Sequence, residues 1–398
     1  MISVEEALKI ISEHTVDFGV ESIPLSESIN RILKEDWHTD RDLPPYDRVT
    51  MDGIAINFEA YAKGKRSFPI EAVAAAGSPQ QTMQNPEACL EVMTGSILPI
   101  NTDTVIRYED LNIVDGIASL QIDKLTKTQN IHFKGEDRKA GQQVSTSGNK
   151  ISPAEIGLGA SIGKAKVQVA KLPKIMVIST GDELVPIDQQ PLAHQIRRSN
   201  VYRLVTTLRS YNISADTDHL NDDPEEIKAS IATYLEQYDI IILSGGVSKG
   251  KFDYLPQVLQ ELGVEKLFHK IKQRPGKPFW FGKYKDQCTI FALPGNPVSS
   301  FLCMQRYFRY WLELSQSGLM PTPQFAVLAE DVSFKPDLTY FLEVQISSTA
   351  QGKLIAQPMK GNGSGDLANL TIADAFIELP RGKDSFKAGE VFAFYWYR

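Results

Sequence analysis

At 398 residues, with 42% hydrophobic and 23% charged residues, the chain can bury large cores and exceeds one ordinary domain, so two to four are expected. A formal net charge of -7 without any Lys/Arg run excludes a general nucleic-acid surface, although a pocket can still be basic. No apolar stretch approaches the roughly 20 residues of a membrane helix, and Cys89, Cys288 and Cys303 lack Cys-x-x-Cys spacing, so buried apolar cysteines in a soluble, cytoplasmic protein are expected.

The acidic start, with Ser3 three residues before Glu6, has capping-box spacing and reads as a helix start rather than a signal peptide. Val4, Leu8, Ile11 and Val16 continue helical patterning to about residue 22. From Ile23 to about Asp137 short β-branched runs broken by Pro and Gly predict strands and loops, as at 88–93 and 104–108. Residues 140–172 are Gly- and Ser-rich and then turn to Val167-Gln168-Val169, which predicts a connector returning toward the first segment. The expected division is 1–22 with 140–172, an inserted β-rich unit at 23–139, an α/β unit at 173–316 and a small all-β unit at 317–398.

The α/β unit is the clearest. Ile175 to Ile178, Ile240 to Leu243 and Thr289 to Leu293 are short apolar runs of the kind a parallel sheet buries on both faces. Helix starts lie between and after them: Ser199-Asn200, Asp223-Pro224-Glu225-Glu226 and Asn296-Pro297 each offer a cap, the last two with a first-turn Pro. A doubly wound α/β sheet follows. After Pro321 and Pro323, alternation as in Phe341-Leu342-Glu343-Val344 predicts the C-terminal strands.

Each buried strand runs into a loop of Gly and short polar residues: Ser179-Thr180-Gly181-Asp182-Glu183, Ser244-Gly245-Gly246-Val247-Ser248 and Pro294-Gly295-Asn296-Pro297-Val298-Ser299. Such loops sit at the carboxyl edge of the sheet, where open α/β folds bind ligands. Gly245 and Gly246 clear side chains from backbone N–H groups, and the helix after Asn296 points its positive end at the same edge, so an anionic ligand is implied. Lys270, Arg274 and Lys277 flank a constrained turn suited to phosphate or an oxyanion. Glu183, Asp222 and Asp253 would repel bare phosphate, which suggests Mg²⁺ bridging acids to a phosphate ester. Taken singly, a Gly-Gly after a strand is ordinarily a turn and Asp223-Pro224 a helix cap; the coincidence of three such loops favours a site.

These loops, together with 47–55 around Asp52, Met93-Thr94-Gly95 and Gly135-Glu136-Asp137, occur in the order found in molybdopterin molybdenumtransferases, and the chain resembles that family over nearly its whole length. The resemblance implies a homodimer of four-domain subunits that converts adenylylated molybdopterin and molybdate into molybdenum cofactor and AMP, with Mg²⁺ assisting. Other molybdenum-cofactor biosynthesis proteins are implied as further partners. It implies that Asp52, Thr94 and Asp137 face the cleft from the partner subunit, while Glu183, Asp222, Asp253, Lys270, Arg274, Lys277 and Ser299 line it from the α/β unit. Asp222 and Asp253 would hold Mg²⁺, Lys277 and Ser299 would bind molybdate, and Lys270 and Arg274 would steady a phosphate or the leaving group. Glu183 would hydrogen-bond the ligand or order a water, with Gly245, Gly246, Ser248, Pro294, Gly295 and Asn296 shaping the binding loops.

The sequence departs from the family's pattern at three places. His132 stands where Arg is usual, Arg198 stands where Asp is usual, and Glu343 and Ala368-Asn369 replace an Arg and a Ser pair that commonly help bind molybdate. A weaker or rearranged oxyanion site is therefore expected. Two other readings are a pterin adenylyltransferase or nucleotide pyrophosphatase using the same α/β unit, and a non-catalytic scaffold. The first needs little beyond that unit, and scaffolds of this fold add domains or long linkers that this chain lacks.

Overall fold

The structure, a computed structural model, describes residues 1–247 and 254–398. Ser248 and Asp253 of the candidate site therefore lie outside the described residues.

Burial on both faces is what makes the apolar runs after Lys174 into inner strands. Ile175–Thr180, Ile240–Ser244 and Cys288–Leu293 are buried at every position. With Ala215–Leu220 they form four parallel strands, extended by antiparallel Trp280–Tyr284 and Glu265–His269 into a six-stranded sheet. Alternate residues serve opposite cores, as period-two geometry requires. Ile175, Val177, Ile240, Ile242 and Phe291 pack with helix residues Leu204, Leu208, Leu302 and Trp311. Met176, Ile178, Ile241, Leu243 and Ile290 pack with Ile227, Ile231 and Leu259 on the other side.

Helix Val4–Glu13 carries the capping box, with the Ser3 side chain accepting from the Glu6 N–H and the Ser3 N–H donating to the Glu6 carboxylate. Its apolar stripe of Val4, Ala7 and Ile11 packs into the α/β core, far along the chain. Val20–Pro24 then pairs antiparallel with Lys166–Ala170 over five residues, and Trp37–His38 pairs with Gln143–Ser145, closing a small core of Leu25, Leu33, Trp37, Ile151, Val167 and Val169.

The chain between those pairings builds a six-stranded sheet in the order Thr104–Arg107, Gly53–Ile56, Cys89–Val92, Ser67–Ala74, Ile117–Leu120, Leu111–Val114. Ala55, Leu90 and Val105 face one core, and Ile54, Cys89 and Ile106 the other. Gly53 is fixed by contact, since a Cβ there would lie 1.9 Å from the Ile106 carbonyl oxygen.

The C-terminal strands Gln324–Leu328, Thr339–Ser348, Leu354–Pro358, Ala375–Leu379 and Val391–Trp396 close on themselves, because Thr339–Ser348 pairs with both Leu354–Pro358 and Ala375–Leu379. Gln273–Arg274 of the cation-bearing turn adds to this barrel beside Thr339 and Tyr340. All three cysteines are buried and free. Among the described residues no helix is long and apolar enough to cross a membrane.

Two expected caps are built differently. Asp223 caps its helix through the Glu225 and Glu226 N–H groups, as its sequence predicts. At Ser199-Asn200, however, the cap position is Arg198, with no side-chain bond, and the Asn200 amide is used elsewhere. Asn296 does occupy its cap position, but its side chain donates to the Ser364 hydroxyl instead.

Candidate functional site

The three Gly-bearing loops meet at the carboxyl edge of the α/β sheet, around a cavity of about 470 Å³. Glu183, Asp222, Gly245, Gly246, Pro294, Gly295, Asn296 and Ser299 line it, together with Arg198. Gly245 and Gly246 sit at φ +110° and +69°, where L-residues are strained. A Cβ on Gly245 would lie 2.9 Å from Thr180 Oγ1, and one on Gly246 would lie 2.6 Å from Leu255 Cδ1. The fold itself therefore demands both glycines, whatever binds beside them.

Asn200 fastens two of the loops together. Its Nδ2 donates to Ser244 Oγ at 3.1 Å and to the Gly295 carbonyl at 2.7 Å. Behind it lies Arg203, whose Nη2 donates to Asn200 Oδ1 (2.9 Å), the Pro297 carbonyl (2.7 Å) and Ser300 Oγ (3.1 Å). The guanidinium stacks over Phe301 with no carboxylate partner among the described residues, and burial draws it down to about 10, so it stays charged near neutrality. In the sequence Asn200 reads only as part of a helix cap, and Arg203 looks like an ordinary residue of an amphipathic helix.

The helix start after Asn296 is less open than its Asn-Pro signature suggests. The Val298 N–H donates to the Ser364 carbonyl at 3.0 Å, so the C-terminal glycine loop covers part of this helix end. Beside that contact a second cavity of about 670 Å³ lies between the α/β unit and the barrel, and it shares Pro278, Asn296 and Ser299 with the first.

Arg274, Lys277, Lys360, Tyr340 and Glu343 line the second cavity. The turn bearing Arg274 and Lys277 is held from behind: fully buried Gln273 donates from Nε2 to the Pro275 carbonyl at 3.0 Å and accepts from the Tyr307 hydroxyl. Tyr307 belongs to a π-helical turn, Met304–Phe308, of a kind frequent at functional sites. Arg274 lies over the Phe334 ring at 6.0 Å. No ion pair among the described residues engages Arg274, Lys277 or Lys360. Glu343 is only 8% exposed, and burial pushes its carboxyl up. The sequence reading missed Lys360 and Ser364, which sit in a loop of glycines with no helix or strand pattern to place them. Lys270 lines neither cavity; its backbone N–H donates to the Phe279 carbonyl and its φ is +73°.

Asp52, Thr94 and Asp137 form a separate constellation in the β-rich sheet region. The Thr94 N–H donates to Asp52 Oδ1 at 2.6 Å, which holds that exposed carboxylate below its usual range. Asp137 Oδ1 lies 2.9 Å from His132 Nε2, and Arg48 Nη2 lies 2.9 Å from His132 Nδ1. Since Arg can only donate, Nδ1 accepts and the Nε2–H donates to Asp137. His132 thus has partners on both nitrogens within the chain. None of these residues lines either cavity.

An open α/β sheet with ligand loops at its carboxyl edge, a cation-lined annex and a separate acidic β-sheet region defines a multidomain protein built to take an anionic ligand. Residues 2–163 match the MoeA N-terminal region (domain I and II), 176–313 a probable molybdopterin binding domain, and 326–397 the MoeA C-terminal region (domain IV). The chain is 42% identical over 398 residues to the molybdopterin molybdenumtransferase of Synechocystis sp., covering 99% of this chain and all of that one. It is 31% identical to the Staphylococcus epidermidis molybdopterin molybdenumtransferase, over 98% of this chain and 94% of the other. A crystal structure of a molybdopterin biosynthesis moeA protein from Pyrococcus horikoshii superposes with a TM-score of 0.83 at 25% identity, covering both chains fully. The chain belongs to the molybdopterin molybdenumtransferase family. Matches that run its full length do not favour an adenylyltransferase, pyrophosphatase or scaffold built on the α/β unit.

Proposed function

We propose that this protein transfers molybdenum from molybdate into an adenylylated molybdopterin, releasing AMP and molybdenum cofactor. The adjacency of the two cavities, which share Pro278, Asn296 and Ser299, supports the reading. A ligand with phosphates at the glycine loops can reach through Asn296, Ser299 and Pro278 into a chamber lined by Arg274, Lys277 and Lys360. The first cavity holds the adenylylated pterin and the second the oxyanion. Lys277, in the second cavity, and Ser299, which both cavities share, bring molybdate to the pterin, while Arg274, also in the second cavity, steadies charge on the phosphate or the leaving group.

Asp222 and Asp253 are proposed to hold Mg²⁺, which when bound neutralises charge on the phosphates. The donor chemistry fits, since Mg²⁺ usually takes one or two carboxylates plus phosphate oxygens, and Asp222 and Glu183 line the first cavity. Among the described residues no group of three or more His, Cys, Asp or Glu side chains could hold a metal unaided. Glu183 orders the ligand or a water; its carboxylate lies over Gly181, where a Cβ would meet Glu183 Oε2 at 2.4 Å.

The Asp52, Thr94 and Asp137 constellation acts in the cleft of a second subunit of a cytoplasmic homodimer, and the four-part division read from the sequence is the organisation this arrangement uses. The test is AMP release from adenylylated molybdopterin by the purified protein. The proposal expects release only with molybdate present, and molybdate-independent release would overturn it.

A further inference from the structure

Glu343 poses a problem that the proposed function leaves open: a doubly charged oxyanion must enter a cavity already lined by a carboxyl group. The residue is central in strand Thr339–Ser348, paired with Phe376, and its backbone carbonyl accepts from the Met359 N–H at 2.9 Å, so the strand cannot swing it aside. Its carboxyl joins no ion pair among the described residues, although Arg274, Lys277 and Lys360 line the same cavity.

The charged and titratable groups facing it come from every packed element. Tyr340 lies on its own strand, Lys360 and Asp366 on the glycine loop, Arg274 and Lys277 on the turn, and Tyr397 near the C-terminus. Asp366 is fixed as an anion by the Asn362 and Asn369 N–H groups, which hold it below the usual carboxylate range. A carboxylate at Glu343 would be buried and would face that second negative charge. A dianion in the cavity would add a third.

We propose that Glu343 is protonated when the cavity holds its oxyanion and donates its O–H to an oxo group, so that the oxyanion is taken up together with a proton. The proton comes from solvent, and no covalent bond is made or broken. Burial and Asp366 already raise this carboxyl in the free protein, and a bound dianion raises it further. Three lysine and arginine charges then balance molybdate and Asp366, and the acid becomes a donor where an arginine would otherwise stand. Between the free and bound titrations of Glu343, molybdate affinity falls as pH rises, by up to about tenfold per pH unit.

The experiment is calorimetric titration of the intact protein with molybdate alone, in two buffers of different ionisation enthalpy, from about pH 6 to about pH 9. Wild type should take up a fraction of a proton that rises toward one per molybdate as the pH passes the free-protein titration and declines again only above the bound one. Glu343→Gln keeps a hydrogen-bond donor and should abolish both the uptake and the pH slope. Uptake that persists in Glu343→Gln, no uptake by wild type, or no molybdate binding at any pH overturns the proposal. A second readout needs no variant: on adding molybdate at the pH of greatest proton uptake, wild type should gain an infrared band of a protonated carboxyl, and its absence counts equally against the idea. The inference rests on the proposed function for the identity of the oxyanion. Because binding is read without pterin, failed AMP release would fault that reaction, and absent proton uptake with normal turnover would fault Glu343 alone.

Discussion

The two cavities of the cleft are built on opposite principles. Around the strand-end cavity, hydrogen bonds tie the loops to one another: Asn200 joins Ser244 to Gly295, Arg203 joins Asn200 to Pro297, and the Val298 N–H meets Ser364, while Arg203 Nε and Nη1 and Thr180 Oγ1 find no partner among the described residues. Around the second cavity, Arg274, Lys277 and Lys360 join no ion pair among the described residues, and the buried acid Glu343 is pushed toward neutrality. A hydrogen-bonded network fixes shape, and its buried cation, Arg203, carries a desolvation cost of its own. Unmatched charge costs stability and is released only when a ligand of opposite charge arrives. One cavity is thus preorganised by hydrogen bonds and the other is held in readiness by its turn.

That contrast can be broken at several points, beginning with the largest effect. If Asp52 serves the cleft of a partner subunit, Asp52→Ala and Glu183→Ala should each abolish AMP release, and re-assorting the two should restore roughly a quarter of wild-type activity through the heterodimer's one intact site. No recovery after verified exchange would place both residues in one subunit's site. Lys277→Ala should raise the molybdate concentration for half-maximal AMP release by about 10- to 100-fold, the loss of one hydrogen bond to a charged group, while the thermal midpoint stays unchanged. A loss of pterin binding instead would assign Lys277 to the first cavity.

Arg203→Met should behave in the opposite way. It leaves the Pro297 carbonyl, Asn200 and Ser300 short of a donor, so unfolding in urea should show a loss of about 2–3 kcal/mol, and the molybdate concentration dependence should change less than for Lys277→Ala. An unaltered urea midpoint would contradict the view that this network holds the loops. The smallest effect concerns Glu343 in the free protein. Its folded titration lies above the unfolded one, so the native state binds the extra proton between them, and stability falls as pH rises through that window. Glu343→Gln should lessen this fall, and parallel pH–stability curves for the two proteins would contradict it.

Much of this was legible in the chain. Continuous apolar runs at 175–178 and 240–243 force burial on both sheet faces, and capping boxes act over three or four residues, so Ser3 and Asp223 signal their helices locally. The glycine loops after the strands could be placed at one sheet edge for the same reason. Asn200 and Asn296 show the limit, because a short polar side chain beside a helix start looks like a cap until a nearer partner exists, and here those partners are Ser244, Gly295 and Ser364.

By itself, then, the sequence determined the three inner strands of the α/β sheet, the ordering of the motifs and the family, since these depend on residue spacing along the chain. Only tertiary structure decided that helix Val4–Glu13 belongs to the α/β core, that the barrel's glycine loop covers the helix end at Val298, and that Lys360 and Glu343 share one cavity. Those outcomes depend on contacts between segments tens to hundreds of residues apart. The ionisation of Glu343 is of the same kind: an acidic letter on a strand specifies a proton-binding group, but burial and the charge of Asp366 set whether that group carries its charge.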